Sequence, residues 1–145
     1  MFLSGLVERG ATPALVKTLS YNEARLRMIS ENVANVETPG YRAKQLDRTA
    51  FQTALRDALE RRGEDGRKPL EVEVRGEVAT DETGHLTVTP RVQPPQNILF
   101  HDGTNLSLER QMADLAETGM WHDLAAALLR ESYEEMRTAI RGRVS

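Results

Sequence analysis

The chain has 145 residues, of which 39% are hydrophobic, only 5% aromatic and 28% charged, with a formal net charge of −3. That is the length of one ordinary domain, and the composition suits helices that each bury a stripe better than a thick globular core. The charge gives no general attraction to nucleic acid or anionic lipid, and the lack of cysteine excludes disulfides and thiolate metal sites.

The opening stretch, MFLSGLVERG, has no basic segment, and Gly5 and Glu8 break its apolar run, so it does not read as a cleaved secretory signal. No apolar run approaches the roughly 20 residues that span a bilayer. Phe2, Leu3, Leu6 and Val7 share one face of a short expected helix over 2–9, and Gly10 suits its end. Thr12-Pro13 then provides an N-cap followed by proline at the first helical position. From there Leu15, Leu19, Asn22, Leu26, Ile29, Val33 and Val36 recur at alternating gaps of four and three, a heptad seam. Asn22 interrupts it. An asparagine there either sets register from inside the seam or faces solvent at its edge, and the spacing leaves both open.

The seam ends in SENVANVETPGY, residues 30–41. Asn32 and Asn35 lie on one face of the last helical turn and are expected to bond backbone groups near the helix end. Thr38, before proline, is pushed out of the α region. Pro39-Gly40 suits a type II turn, with Tyr41 packing at the junction.

Beyond this joint, Arg42 to Asp47 reads as polar and extended. Thr49-x-x-Gln52 is a capping box for a helix striped by Phe51, Leu55, Ala58 and Leu59 and ended by Gly63. Glu64 to Pro69 is a charged loop. Leu70, Val72 and Val74 alternate with Glu71, Glu73 and Arg75, which predicts a half-buried strand. Asp81 to Gly84 marks a turn, and Leu86, Val88 and Val92 alternate again, with Pro90 limiting that run to a sheet edge. The two runs predict a hairpin.

The last helix is expected to start at Asn105 or Ser107 and run to about residue 141. Its heptad passes through Leu108, Met112, Leu115, Gly119, His122, Ala126, Leu129, Tyr133, Met136 and Ile140. At 1.5 Å per residue it spans about 54 Å, against about 36 Å for the helix over 13–36. An apolar stripe that outlasts its intrachain partner points to other chains. The fold class is therefore mainly α. Long N- and C-terminal helices pack as an antiparallel coiled-coil-like pair (1–41 and 106–145), and 42–105 forms a small outer segment with a short helix, a β-hairpin and loops.

No enzymatic motif stands out. His85, His101 and His122 each stand alone, without a ligand or catalytic spacing, and no glycine-rich phosphate loop or nucleophile elbow is present. No catalytic residue, cofactor or metal site is expected. The amphipathic stripes alone fit a subunit of an assembly, or a helical secretion chaperone or interaction module with a target groove.

One motif is specific. Ser30, Asn32, Ala34, Asn35, Thr38, Pro39, Gly40 and Tyr41 stand in the pattern S-x-N-x-A-N-x-x-T-P-G-Y, which resembles the N-terminal signature of bacterial flagellar rod and hook proteins. The length, Phe51-x-x-x-Leu55, and Asp102-Gly103-Thr104-Asn105 leading into Leu108 to Ala113 are similar to the short members of the proximal rod; residues 63–100 carry little of the likeness. The resemblance implies a non-enzymatic structural subunit of the periplasmic rod, exported by the flagellar type III apparatus without signal cleavage. Its implied partners are copies of itself, the rod protein C and other rod subunits, the adaptor to the MS ring, and the export apparatus. It also implies that the terminal helices pack between subunits. The residues placed in that packing are Leu15, Leu19, Asn22, Leu26, Ile29, Val33, Leu108, Met112, Leu115, Leu129, Tyr133, Met136 and Ile140.

Overall fold

The computed structural model describes residues 11–94 and 103–142, with side chains of the last helix described from Leu108 onward. The expected short helix over 2–9 and His101 lie outside the described residues. The described chain is mainly helical, with long helices near both ends and a small antiparallel β insertion. In order it runs α1 (Ala11–Ala34), β1 (Lys44–Gln45), α2 (Arg48–Arg62), β2 (Val78–Thr80), β3 (Leu86–Val88), β4 (Arg91–Val92) and α3 (Gly103–Gly142). Because α3 already begins at Gly103, Asn105 and Ser107 fall inside it and do not cap it. At 40 residues it is about 60 Å long.

The helices α1 and α3 run antiparallel. Thr12 Oγ1 meets Ser132 Oγ at 3.0 Å near one end, and Asn32 approaches Gln111 at the other. The contact register on α3 differs from the expected heptad by one residue. The fully packed positions are Thr118, Ala125 and Ser132, seven apart, and not Gly119, Ala126 and Tyr133. Small side chains at heptad spacing let two helix backbones approach closely, and the larger apolar residues are left to the flanks.

The hydrophobic core lies elsewhere, between α1 and the insertion. Its buried members are Tyr21, Met28 and Ile29 of α1 together with Leu46, Phe51, Ala58, Leu70, Val72 and Val78. Tyr21 and Phe51 stack with ring centroids 3.9 Å apart. The helix α1 thus has two working faces. Asn22 and Ile29 of the expected seam are buried, while Leu15, Leu19, Leu26 and Val33 are half-buried. The second face, Lys17, Tyr21, Met28 and Asn32, is fully packed and holds the insertion.

Local chemistry sets the insertion's boundaries. The N-cap of α2 is Asp47, whose carboxylate accepts from Ala50 N–H at 2.9 Å; the Thr49-x-x-Gln52 pattern lies within the helix and does not cap it. At the other end Gly63 N–H closes on Leu59 C=O, as expected.

The expected strand over 70–75 keeps its alternation of burial but not its ladder. Only Val74 bridges, to Val78, around a tight turn in which Gly76 adopts φ 75°. The Val72 backbone is satisfied instead by a side chain: Thr80 Oγ1 accepts from its N–H at 2.9 Å and donates to its C=O at 3.1 Å. The hairpin therefore pairs β2 with β3 across the Asp81–Gly84 turn. The run 86–92 divides at Thr89-Pro90, after which β4 pairs with β1.

Candidate functional site

Two features are candidates for function: the joint after α1 and the exposed apolar side chains of α3. In the joint, helical bonding ends as Val36 N–H turns to Val33 C=O and Thr38 N–H to Asn35 C=O. Tyr41 N–H then closes on Thr38 C=O at 3.2 Å, and Gly40 has φ 77°. This is the i to i+3 bond and the positive third-position φ of a type II turn.

Asn35 does what its position suggests. Its Nδ2 donates to Glu31 C=O at 2.8 Å, and Thr38 Oγ1 donates to its Oδ1 at 3.3 Å. Asn32 does something else. It is buried and bonds the returning chain, not the helix end. Its Nδ2 donates to Lys44 C=O at 2.8 Å and more weakly to Gln111 Oε1 at 3.4 Å. Its Oδ1 accepts from Lys44 N–H and from the Tyr41 hydroxyl, both at 2.9 Å. All four capacities of the amide are used. Lys44 Nζ also pairs with Glu31 at 2.7 Å, and that bond raises its pKa. The motif residues therefore fix the angle at which the chain leaves α1 and enters β1.

Further along α1, Lys17 reaches the hairpin. Its buried ammonium donates to Gly84 C=O at 2.9 Å and to Thr80 Oγ1 at 3.3 Å. Burial lowers its pKa, and the nearby Asp81 carboxylate partly opposes that. Glu77, also buried, accepts from Asp47 N–H and pairs with Arg91 at 3.1 Å. These ties make α1 and the insertion one packed body. A lysine on an apolar helix face reads as solvated in a sequence, and only the hairpin's approach shows otherwise.

Along its length α3 carries large exposed apolar side chains, Met112, Met120, Trp121, Leu124, Tyr133, Met136 and Ile140, with Met120 73% and Ile140 66% exposed. Of the residues expected in subunit packing, Leu108, Leu115 and Leu129 are half-buried, and Met112, Tyr133, Met136 and Ile140 are exposed. Leu19, Ala126, Leu129 and Tyr133 line a shallow groove of about 320 Å³, flanked by Arg130 and Arg137. His122 is half-exposed beside Asp123, and His85 bonds Thr83 in the hairpin turn. Among the described residues no group of three or more His, Asp or Glu side chains is placed to hold a metal ion, and no helix is long and apolar enough to cross a membrane.

The model of a family described as flagella basal body rod protein matches residues 14–42. The matched stretch is almost all of α1 plus the Thr38–Tyr41 turn, so it coincides with the joint. The match covers about a fifth of the chain and supports a likeness to the rod-protein family over that stretch. No curated protein and no solved structure matches the chain.

Proposed function

We propose that this chain is a subunit of the proximal rod of the bacterial flagellum, part of the shaft that transmits torque through the periplasm. Within that class its length and terminal motifs are most similar to the rod protein B. The carrying observation is the coincidence of the family match at 14–42 with the helix and turn that the Asn32 network organises. On this reading the chain leaves the cytoplasm through the flagellar type III apparatus without losing a signal. It contacts copies of itself, the rod protein C and other rod subunits, and the MS-ring adaptor. The segments 1–41 and 106–145 form the inner part of the rod and 42–105 the outer part.

The exposed apolar side chains along α3 favour an assembling subunit. A soluble monomer seldom leaves so many large apolar residues along one helix. Subunit packing is assigned to Met112, Tyr133, Met136 and Ile140, with Leu15, Leu19, Asn22, Leu26, Ile29, Val33, Leu108, Leu115 and Leu129 behind them. The signature residues Ser30, Asn32, Ala34, Asn35, Thr38, Pro39, Gly40 and Tyr41 set the angle between inner and outer parts.

A helical secretion chaperone would use the same stripes as a groove. Solution mass separates the two. A rod subunit stays monomeric when dilute and joins mixed assemblies with neighbouring rod proteins, whereas a chaperone forms a discrete dimer at all concentrations tested. A stable dimer that ignores other rod proteins would overturn the rod reading.

A further inference from the structure

The end of α2 and the loop after it gather three cations that neither the joint nor the helix pair uses. Arg62 is the last residue of α2 and is buried, 7% exposed. Its Nη2 donates to Gly66 C=O at 2.7 Å. Its Nε and Nη1 are sealed from water and make no hydrogen bond within the described chain. Arg61 beside it is exposed and reaches Glu71 C=O at 3.4 Å. The loop supplies Lys68. Gly66 N–H donates to Glu64 C=O and Lys68 N–H to Asp65 C=O, and these turns bring Lys68-Pro69 back against the helix.

Ala58, Arg61, Arg62, Lys68, Pro69 and Glu71 line an open groove of about 230 Å³. Ala58 lies one turn before Arg62, and its small side chain leaves the room. Among the described residues Arg61, Arg62 and Lys68 form no ion pair. The Asp65 carboxylate is taken by Arg67 N–H, and Glu71 is the one acidic residue of the lining. The helix dipole favours basic residues in a last turn. It explains neither the burial of Arg62 nor the arrival of Lys68 from the loop. Buried charges are paired as a rule, so Arg62 places an uncompensated positive charge in the wall of the groove.

We propose that this groove binds a small oxyanion, a phosphate or carboxylate group. Arg61 and Lys68 hold it from the exposed side by charge-assisted hydrogen bonds, and Arg62 adds its charge from the wall. The groove is smaller than the about 300 Å³ at which sites for drug-sized ligands begin, so it suits one anionic group and not a whole nucleotide. It lies at the opposite end of α2 from Arg48 and does not depend on which assembly the chain enters.

Titration of the full chain at constant ionic strength, which keeps screening fixed, tests the proposal through the arginine Nε–H resonances. Inorganic phosphate replacing chloride should shift the Arg61 and Arg62 signals along a saturable curve. Arg61→Gln and Lys68→Gln should each weaken binding at least about tenfold with little change in thermal unfolding, because both side chains are exposed. Glu71→Gln should tighten it, and Arg67→Gln, outside the groove, should leave it at the parental level. A capped triglutamate peptide that competes for the same signals assigns the group to an acidic side chain of another chain; saturation by phosphate alone assigns it to the free anion. Shifts that fail to saturate with either probe would overturn the proposal, as would parental affinity in the Arg61→Gln, Lys68→Gln double variant.

Discussion

Asn32 pairs with Lys44 as one strand pairs with another. Its amide oxygen takes the Lys44 N–H at 2.9 Å and its amide nitrogen gives to the Lys44 C=O at 2.8 Å. A side chain thus starts the backbone pairing that β1 continues with β4. Replacing Asn32 with alanine strands buried partners on both sides and should cost about 2–3 kcal/mol. Asn32→Asp should cost as much, because a carboxylate has no donor for Lys44 C=O or Gln111 Oε1. The midpoint of denaturant unfolding measures both; a milder Asp variant would mean that the donor side of the amide contributes little.

Lys17 offers a contrast between a charge and its stem. Burial lowers its pKa, so the charged form is disfavoured in the fold, and this cost is relieved as pH rises through the lowered value. Lys17→Met keeps the packed stem and removes the charge, whereas Lys17→Ala loses both. The alanine variant should be less stable than the methionine variant by about 1–2 kcal/mol in thermal unfolding.

The Tyr21 hydroxyl is buried near the Arg25 guanidinium without a hydrogen bond of normal geometry. Burial pushes its pKa up to about 12. A phenol with a raised folded pKa adds stability that is full below its ordinary value near 10.0 and is lost as pH rises toward 12. Tyr21→Phe should therefore keep neutral-pH stability within about 0.5 kcal/mol and should resist alkaline unfolding better than the parent chain.

The hydrogen bond from Arg48 holds the Glu117 carboxyl below its usual range, and Trp121 lies one helical turn further along α3. A carboxylate with a depressed folded pKa stabilises above its ordinary value, and the effect fades as pH falls through the lowered one. Trp121 is the single tryptophan. Its fluorescence should stay constant down to the ordinary glutamate range and change below it. Glu117→Gln should remove that transition.

Met136 and Ile140 are exposed near the end of α3, where added cations suit the helix dipole. Met136→Lys and Ile140→Lys should change monomer stability by less than about 0.5 kcal/mol and yet prevent assembly with other rod subunits. The paired measurements are thermal unfolding and mixed-assembly sedimentation. Assembly at the parental level would remove these residues from the packing face.

Much of this was legible in the sequence because it rests on local signals. The turn at Thr38–Tyr41, the stop at Gly63 and the outlines of both long helices follow from backbone chemistry and periodicity. The second face of α1 was also within reach: Ala14, Tyr21 and Met28 recur at heptad spacing beside the leucine seam. Partner choice was not legible. Alternation in 70–75 reports which side chains are buried, but not that Thr80 replaces a neighbouring strand for Val72. On α3 the most deeply packed positions fall one residue before the expected heptad. Where two helices approach closely, the contact goes to small residues such as Thr118, Ala125 and Ser132.

The most direct test of the central claim is the amount of this chain in purified flagellar basal bodies from the bacterium that makes it. The rod reading predicts several copies per basal body, confined to the rod and retained when soluble proteins are washed away. Basal bodies with complete rods that contain none of this chain, with all of it left in the cytoplasm, would contradict it.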